Sequence, residues 1–271
     1  QVINYKYLYM PELTNALRKL VRSLGDAKAR REHRLFVAEG TKCVSDTAGQ
    51  FTCRYLLARP AWLEENSDVI GRMGDAEIIR TTTADMERMT QLSTAPGVIA
   101  VYHIPEETKS EDFCLLGDEL VVALDRIQDP GNLGTIIRLC DWMGVTAILA
   151  SRDTADVWAP KVVQSTMGAV ARVRVIYVDD LASALRVWPA PVYGTFLSAP
   201  SIYTADLGAR GVVVFGNEGR GISSSVAECV TDRLFIPSFP PDRPTSESLN
   251  VATAAAITLS QFRSRQLRSR N

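Results

Sequence analysis

The sequence lacks any long apolar run. None of its windows approaches the roughly 18 consecutive apolar residues that a membrane-spanning helix needs. Its first 20 residues, QVINYKYLYMPELTNALRKL, also lack the apolar stretch and the small-residue cleavage site of a secretory signal. We therefore expect a cytoplasmic protein without a membrane partner.

The sequence is also poor in the residues that hold metals and disulfides. It has only two histidines, and its cysteines contain no CxxC pair and no histidine at metal-ligand spacing. An odd number of cysteines fits poorly with a disulfide framework. The five are Cys43, Cys53, Cys114, Cys140 and Cys229. We expect neither a bound metal nor a structural disulfide.

The common nucleotide-binding motifs are missing as well. No GxxxxGK[ST] segment occurs, which argues against a P-loop nucleotidase. The glycine-rich segment GNEGRG at 216–221 has the spacing GxxGxG instead of GxGxxG. We find no acid about 20 residues later that would bind a ribose hydroxyl. These differences argue against a nicotinamide-dependent enzyme.

The composition that remains is that of a globular protein with unevenly distributed charge. The chain has 271 residues, 46% of them hydrophobic, with a net charge of -1 and a mean hydropathy of -0.00. Yet the first 34 residues hold eight lysines or arginines against three acids, and no acid follows Glu247. Clusters of this kind suit a phosphate backbone. The alternative is that they are solvated helix faces and a basic tail.

The first part of the chain, residues 11–104, is predicted to be a small α/β domain. Leucines at positions 13, 17, 20 and 24 have helical spacing, and Gly25 is suited to end that helix. The segments LFVAEG, CRYLLARP and PGVIAVYHI have the apolar pattern of strands. Residues 105–117 are rich in acids and small polar residues and are predicted to be a linker.

The second part, residues 118–271, alternates continuous apolar strands with helices. ELVVALD, VTAILA, RVRVIYV, PVYGTFL and GVVVFG are the predicted strands, and a long helix ends the chain. Continuous apolar strands are covered on both faces, which predicts a mainly parallel sheet between helical layers. Ligands of such sheets bind at the carboxyl ends of the strands.

The loop after ELVVALD is the first candidate site. In RIQDPGNLGTIIR, Pro130 and Gly131 indicate a turn, and Asn132 is suited to cap the following helix. Gly134 lies four residues before Arg138, so both face one side of the helix. A glycine there would let a bulky substrate approach while Arg138 reaches over it. The alternative is an ordinary turn followed by a surface arginine.

Two further loops complete the candidate site. The glycines of 216–221 would form a backbone nest around a small ligand, with Glu218 inside it. After a strand that ends at Ile236, a proline-rich segment leads to Ser248, which is suited to cap a helix with Asn250 in its first turn. Asn250 could itself be only a second cap.

The three loops resemble, in order, the three motifs of the SpoU/TrmH ribose methyltransferases of the SPOUT superfamily. The matching segments are NxGxxxR at 132–138, GNEGxGI at 216–222 and IP…SLNV at 236–251. The segment RREHRLFVAEGTK at 30–42 also resembles the opening of the RNA substrate-binding domain that often precedes this catalytic domain. One departure is the 238–247 link, SFPPDRPTSE, which has three prolines and no glycine.

This resemblance implies a fold and an activity. The fold is an α/β domain with a parallel sheet and a deep trefoil knot, preceded by the small substrate-binding domain. The activity is S-adenosylmethionine-dependent methylation of a ribose 2′-hydroxyl in RNA by a homodimer. The separate N-terminal domain favours 23S ribosomal RNA as the substrate. The alternatives are a transfer-RNA 2′-O-methyltransferase and a non-catalytic RNA-binding factor of ribosome assembly.

The resemblance also implies roles for individual residues. Arg138 would be the catalytic arginine, and the groups orienting the ribose would be Asn132, Glu218, Ser248 and Asn250. The cofactor would lie against Leu197, Gly216, Asn217, Gly221, Ile236 and Leu249. The RNA would be contacted by Arg30, Arg31 and Arg34. Because an arginine is normally protonated, we expect Arg138 to hold a substrate phosphate and not to act as the base.

Overall fold

The computed structural model describes residues 11–106, 117–240 and 246–268. The chain forms two compact units. The N-terminal unit comprises the residues up to Glu106 together with Asp156–Ala171, and the C-terminal unit comprises the rest. Most of the predicted linker lies outside the described residues. Within the described part of the chain, no helix is long and apolar enough to cross a membrane and no group of side chains could hold a metal ion.

The N-terminal unit contains a four-stranded mixed sheet. Its helices are α1 (Asn15–Ser23), α2 (Ala27–His33), α3 (Thr41–Thr47), α4 (Pro60–Glu65), α5 (Ser67–Gly71) and α6 (Thr83–Met89), and its strands are β1 (Leu35–Glu39), β2 (Cys53–Ala58), β3 (Glu77–Arg80) and β4 (Val98–His103). The strand order is β1-β4-β2-β3. β4 pairs antiparallel with both of its neighbours, whereas β2 and β3 are parallel.

Helix α1 forms where the leucine spacing predicts it. The Thr14 hydroxyl accepts a hydrogen bond from the Leu17 amide and so caps the helix. Its apolar face packs against the sheet and α6, with Val21 and Leu24 buried in a common core. The helix ends at Ser23, just before Gly25.

The core of the N-terminal unit includes a segment from late in the sequence. Helix α8 (Pro160–Thr166) and the residues before it pack on β1. The Trp158 ring lies 4.5 Å, centroid to centroid, from that of Phe36, and Val163 is buried in the same cluster. The apolar side chains of 156–171 are therefore covered by residues from the beginning of the chain.

The C-terminal unit contains a six-stranded, wholly parallel sheet, which confirms the parallel sheet predicted from the sequence. Its strands are β5 (Leu120–Asp125), β6 (Ala147–Ser151), β7 (Arg174–Val178), β8 (Val192–Thr195), β9 (Gly211–Gly216) and β10 (Asp232–Leu234), and its helices are α7 (Pro130–Trp142), α9 (Leu181–Arg186), α10 (Ser224–Ala227) and α11 (Val251–Arg268). The strand order is β10-β8-β9-β5-β6-β7.

Three predicted boundaries in this unit are wrong by a few residues. Helix α7 begins at Pro130, and its cap is Asp129 instead of Asn132, because the Asp129 carboxylate accepts from the Asn132 amide. Helix α11 begins at Val251 and is capped by Asn250, not by Ser248. Strand β10 ends at Leu234, two residues before Ile236. In both helices, the cap is the residue whose side chain accepts a hydrogen bond from a free amide of the first helical turn.

Candidate active site

The parallel sheet brings four strand ends to one edge. Asp125 at the end of β5 is paired with Gly216 at the end of β9, and Thr195 at the end of β8 is paired with Leu234 at the end of β10. β8 and β9 are themselves neighbours. The segments that follow these strands therefore start side by side, as expected for the ligand-binding edge of such a sheet.

Asn132, Glu218 and Asn250 meet at this edge in a closed triangle of hydrogen bonds, which we call the amide triad. The Asn250 amide nitrogen donates to the Asn132 side-chain oxygen at 3.0 Å and to Glu218 Oε1 at 3.1 Å. The Asn132 amide nitrogen donates to the same carboxylate oxygen. One residue comes from each of the three loops, so the triad fixes their relative positions.

Two of the triad members are also bound to helix starts. Asn132 lies in the first turn of α7, where Asp129 holds its backbone amide. The Asn250 side-chain oxygen accepts from the amides of Ala252 and Thr253 and so caps α11. With that oxygen committed to the helix, the Asn250 amide nitrogen is the group left to point toward Glu218.

The loop from Gly216 to Ile222 is folded tightly on itself. A Cβ atom at Gly216 would lie 2.2 Å from the Gly221 carbonyl carbon and from the Ile222 nitrogen. Gly221 has a φ of +66°, a backbone conformation that side-chain-bearing residues rarely adopt, and open space around it. These two glycines are required by the shape of the loop itself.

The loop does not offer the open nest of amides that the glycine spacing suggests. The side-chain oxygen of Asn217 accepts from the amides of Gly219 and Arg220, and the Asn217 carbonyl accepts from the Gly221 amide. Three consecutive amides are thus satisfied inside the turn. Asn217 also donates through its side chain to the Arg126 carbonyl at 2.9 Å. Its first role is to hold the loop.

Two residues that the sequence analysis missed support this loop. Asp125 is buried, and its carboxylate accepts from the Ser223 amide at 2.6 Å and from Arg126 Nε at 3.1 Å. Arg126 has a positive φ of 61°, and its backbone amide donates a hydrogen bond to the Ser151 hydroxyl. The signal in the sequence was an acid at the end of the otherwise apolar run ELVVALD, where a buried carboxylate requires hydrogen-bond donors.

The other predicted site residues lie on α7 and on the segments next to β8, β10 and α11. Arg138 is exposed on α7, six residues after Asn132, about 9 Å along the helix axis. Within the described residues, its guanidinium makes no hydrogen bond or ion pair. Leu197 follows β8, Ile236 follows β10, and Leu249 precedes α11. The Leu197 side chain is 70% exposed. Ser248 is exposed as well, and residues 241–245 of the proline-rich link lie outside the described part.

The structure corrects one predicted RNA contact. Arg30 is only 3% exposed, and its guanidinium donates to the carbonyls of Leu24 and Gly25 and to the Asp156 carboxylate. It holds the turn between α1 and α2 and is not available to RNA. Arg31 and Arg34 are exposed. Periodicity alone could not separate Arg30 from its neighbours, because its partner Asp156 is 126 residues away.

Three of the four described cysteines are buried and unreactive. Burial raises the pKa of the Cys43 and Cys53 thiols to about 12, and it also raises that of Cys140. Thiolates are the reactive form of cysteine, so these three side chains are inert near neutral pH.

Comparison with known families agrees with this geometry. The model of the SpoU rRNA methylase family matches residues 119–260, more than half of the chain and all three loops of the strand edge. The chain belongs to the SpoU rRNA methylase family. A second model, the MRM3-like substrate binding domain, matches residues 15–100 of this SpoU methylase.

Individual relatives extend the match to almost the whole chain. The 23S rRNA (guanosine-2′-O)-methyltransferase RlmP of Bacillus subtilis is 33% identical over 182 residues, which are 65% of this chain and 68% of the relative. The structure of a TrmH-family RNA methyltransferase from Porphyromonas gingivalis has 36% identity and a TM-score of 0.82, and the match covers 93% of this SpoU methylase and 99% of that chain. The structure of an AdoMet-bound rRNA methyltransferase from Sinorhizobium meliloti has 28% identity and a TM-score of 0.82, and the match covers 94% of this SpoU methylase and 98% of that chain.

Proposed function

We propose that this SpoU methylase transfers the methyl group of S-adenosylmethionine to a ribose 2′-hydroxyl in ribosomal RNA, with 23S rRNA as the first candidate. The observation that carries the proposal is the amide triad, in which the three loops of the family meet at one strand edge. The relative RlmP is named as a 23S rRNA 2′-O-methyltransferase, and this name supports ribosomal RNA as the substrate class. Because rRNA and S-adenosylmethionine are both intracellular, the reaction belongs in the cytoplasm.

The cofactor fits the segments that follow β8, β9 and β10. Leu197 and Leu249 present large apolar side chains to solvent there, 70% and 45% exposed, which suits them to cover an adenine ring. Gly216, Asn217, Gly221 and Ile236 would provide the backbone wall. When bound, S-adenosylmethionine supplies an activated methyl group on a sulfonium. The related AdoMet-bound structure from Sinorhizobium meliloti supports this assignment.

The amide triad would position the ribose. Glu218 Oε1 accepts from both asparagines, whereas no hydrogen bond to Glu218 Oε2 is found within the described residues. Oε2 and the second amide hydrogen of Asn132 are therefore the groups that would bind ribose hydroxyls, with Ser248 beside them. Holding the 2′-oxygen in line with the methyl group is the main requirement, because orientation lowers the barrier of a reaction whose electrophile is already activated.

Arg138 would stabilise the charge that develops on the 2′-oxygen. In the reaction the oxygen forms a bond to the methyl carbon, the methyl–sulfur bond breaks, and the hydroxyl proton leaves to the adjacent phosphate or to water. A guanidinium has five donors and no acceptor, so it is suited to hold that phosphate and the forming alkoxide and not to accept the proton. Its lack of a partner within the described residues suits this role.

The division of labour between the domains is part of the proposal. Residues 11–104, which share their compact unit with residues 156–171, would recognise RNA, residues 105–117 would link, and the rest of 118–271 would carry the chemistry. The match of the substrate binding domain model to 15–100 supports the first assignment. Arg31 and Arg34 remain candidate phosphate contacts because they are exposed, whereas Arg30 is withdrawn.

We also propose the trefoil knot and the homodimer. The knot is supported by the strand order, because the chain passes from β9 to β10 on the outer side of β8 and then returns to place α11 against α7 and β9. The dimer is supported by apolar exposure on those two helices. Trp142 at the end of α7 is 85% exposed and Leu267 in α11 is 64% exposed, and large exposed apolar side chains on two packed helices suit a protein interface.

A direct assay tests the proposed reaction. The full chain is incubated with methyl-labelled S-adenosylmethionine and, separately, with unmodified 23S rRNA and with unmodified transfer RNA transcripts. We expect label in 23S rRNA, located at a 2′-oxygen by resistance of the adjacent phosphodiester to alkali. Label in transfer RNA alone would select the transfer-RNA alternative. RNA binding without S-adenosylmethionine binding, measured by calorimetry, would select the assembly factor.

A further inference from the structure

A concave surface of the N-terminal unit lies apart from the strand edge that carries the proposed reaction. It is a cavity of about 480 Å³ between α1, the α1–α2 turn and the end of α6. Four cationic side chains line it, against one acid, Asp26. The four are Arg18, Lys19, Arg22 and Arg88. We call this surface the basic pocket.

The fold, not the sequence order, assembles the basic pocket. Arg18 and Arg22 are one turn apart on α1, and Lys19 adjoins Arg18. Like charges at this spacing destabilise a helix. Arg88 arrives from α6, which packs against α1 through the shared core. The basic N-terminal segment is evident in the sequence, but its proximity to Arg88 depends on the packing of α6 against α1.

Two of the four cations are held in place. Arg18 is paired with Asp85 at 2.8 Å, and its Nε is buried without a hydrogen-bond acceptor in the described residues. Arg22 donates to the Thr90 carbonyl, and Gln91 donates back to the Arg22 carbonyl at 3.1 Å. The pocket therefore has a fixed cationic wall.

The other two cations, Lys19 and Arg88, are exposed and make no hydrogen bond or ion pair within the described residues. The lining contains no aromatic side chain on which a base would stack and no apolar wall. An open, polar, cationic cavity is suited to phosphates and not to a base or an apolar ligand.

We propose that the basic pocket binds consecutive phosphates of the RNA substrate and provides the main sequence-independent RNA affinity of the N-terminal unit. This inference rests on the proposed function for the identity of its ligand. RNA fits better than a single small anion, because two fixed and two exposed cations line one wide opening. Arg31 and Arg34, at the other end of α2, would be secondary contacts.

A matched pair of double variants of the full chain tests the pocket. Lys19→Gln with Arg88→Gln removes two cations that have no structural partner, so the fold should persist. Arg54→Gln with Arg80→Gln removes two exposed cations of the same unit that do not line the pocket and make no hydrogen bond or ion pair within the described residues. The probe is unmodified 23S rRNA transcribed in vitro, and its dissociation constant is measured across a salt series.

We expect the pocket variant to bind RNA about tenfold more weakly at roughly 0.1 M salt. The slope of log K against log salt should fall by about 1.4 to 1.8, since two phosphate contacts are lost. The control variant should remain within about twofold of the wild type. Asp26→Asn should tighten binding, because it removes the only acid of the lining and asparagine is an equally good helix cap. Equal affinities and slopes for the pocket and control variants would overturn the proposal.

The same proteins separate failure of the pocket from failure of the proposed function. In methyl-transfer assays, the pocket variant should raise the KM for RNA by a larger factor than it lowers kcat, and it should leave the S-adenosylmethionine dissociation constant unchanged. A wild type that methylates RNA alongside a pocket variant with an unchanged KM overturns the pocket alone. A different outcome is that the wild type binds RNA more tightly than the pocket variant but transfers no methyl group. That outcome would overturn the proposed reaction and support the pocket.

Discussion

At the scale of single residues, Asn250 shows how one side chain serves both fold and site. Its oxygen caps α11, while its nitrogen donates to Glu218 and Asn132. An aspartate would preserve the cap but would place a second carboxylate against Glu218. A serine would preserve the cap but would not reach both partners. Only asparagine supplies an acceptor and two donors in this arrangement.

Asn250→Asp should therefore separate stability from activity. At high salt, which screens the repulsion from the Glu218 carboxylate, we expect the free energy of unfolding to change by less than about 0.5 kcal/mol, because aspartate and asparagine cap helices equally well. Methyl transfer should fall by about a hundredfold, since like charge would disrupt the triad that we propose to orient the ribose. Asn250→Ala should lose a further ~1 kcal/mol of stability with the cap. Urea unfolding and single-turnover kinetics measure the two effects, and near-normal turnover of Asn250→Asp would exclude the triad from the site.

Arg138 provides a second residue-scale prediction. Arg138→Ala should lower methyl transfer by about 10²–10³-fold, the usual loss when a group that stabilises developing charge is removed. S-adenosylmethionine affinity should stay within about threefold, because the guanidinium is assigned to RNA. Arg138→Lys should not restore activity at high pH, since a lysine lacks the planar fork that binds phosphate. Substantial activity of Arg138→Lys at high pH would instead support a base. Arg186→Ala, an exposed arginine on α9, is the control.

At the scale of elements, the 216–222 loop gives a comparison between two of its glycines. A Cβ at Gly216 would contact backbone atoms at 2.2 Å, which cannot move without opening the turn. A Cβ at Gly219 would meet nothing closer than Asn217 Oδ1 at 3.7 Å. Gly216→Ala should weaken S-adenosylmethionine binding more than about tenfold, whereas Gly219→Ala should stay within about twofold. Calorimetry of both variants decides this, and equal affinities would remove the loop from the cofactor site.

Strand β1 ends in a buried carboxylate that predicts an unusual pH dependence. Glu39 accepts hydrogen bonds from the Thr90 hydroxyl and the Gln91 amide and so connects β1 to the end of α6. Burial raises the pKa of Glu39, and those hydrogen bonds and the charge of Arg22 offset only part of the rise. The folded state then binds the proton more tightly than the unfolded chain. The stability contributed by this group is present below the ordinary glutamate pKa of about 4.5 and is lost as the pH rises through the folded value.

Glu39→Gln should remove that dependence. We expect the stability difference between wild type and Glu39→Gln to shift in favour of the variant as the pH rises from about 4.5 toward neutrality. Urea midpoints of both proteins at several pH values measure it. A difference that is constant with pH, or that shifts in favour of the wild type, would contradict the raised pKa.

At the scale of the whole molecule, the two compact units are not two consecutive stretches of chain. After β6 the chain leaves the sheet of the C-terminal unit, and residues 156–171 contribute Trp158 and Val163 to the core of the N-terminal unit. The chain then returns to the C-terminal sheet as β7. A fragment that starts near residue 118 would therefore expose these apolar side chains to water. The two units are interlinked in sequence although each has its own sheet.

The proposed dimer is the prediction that belongs to this scale. Trp142→Glu combined with Leu267→Glu should halve the solution mass measured by light scattering, because charges would replace the apolar centre of the interface. Val187→Glu is the control, since Val187 is similarly exposed but lies after α9. A wild type that is already monomeric at micromolar concentration would exclude the dimer.

The sequence by itself determined the parallel sheet, the strand edge and the three loops that meet there. Continuous apolar strands, helical periodicity and glycine spacing are local patterns, and the rule that parallel strands end together converts them into a site. Tertiary structure alone decided that Arg30 is buried against Asp156, that 156–171 joins the N-terminal core and that Arg88 completes the basic pocket. It also turned the loop amides inward onto Asn217. The physical reason is that burial and hydrogen-bond partners depend on segments far apart in the chain, whereas periodicity records only neighbours a few residues away.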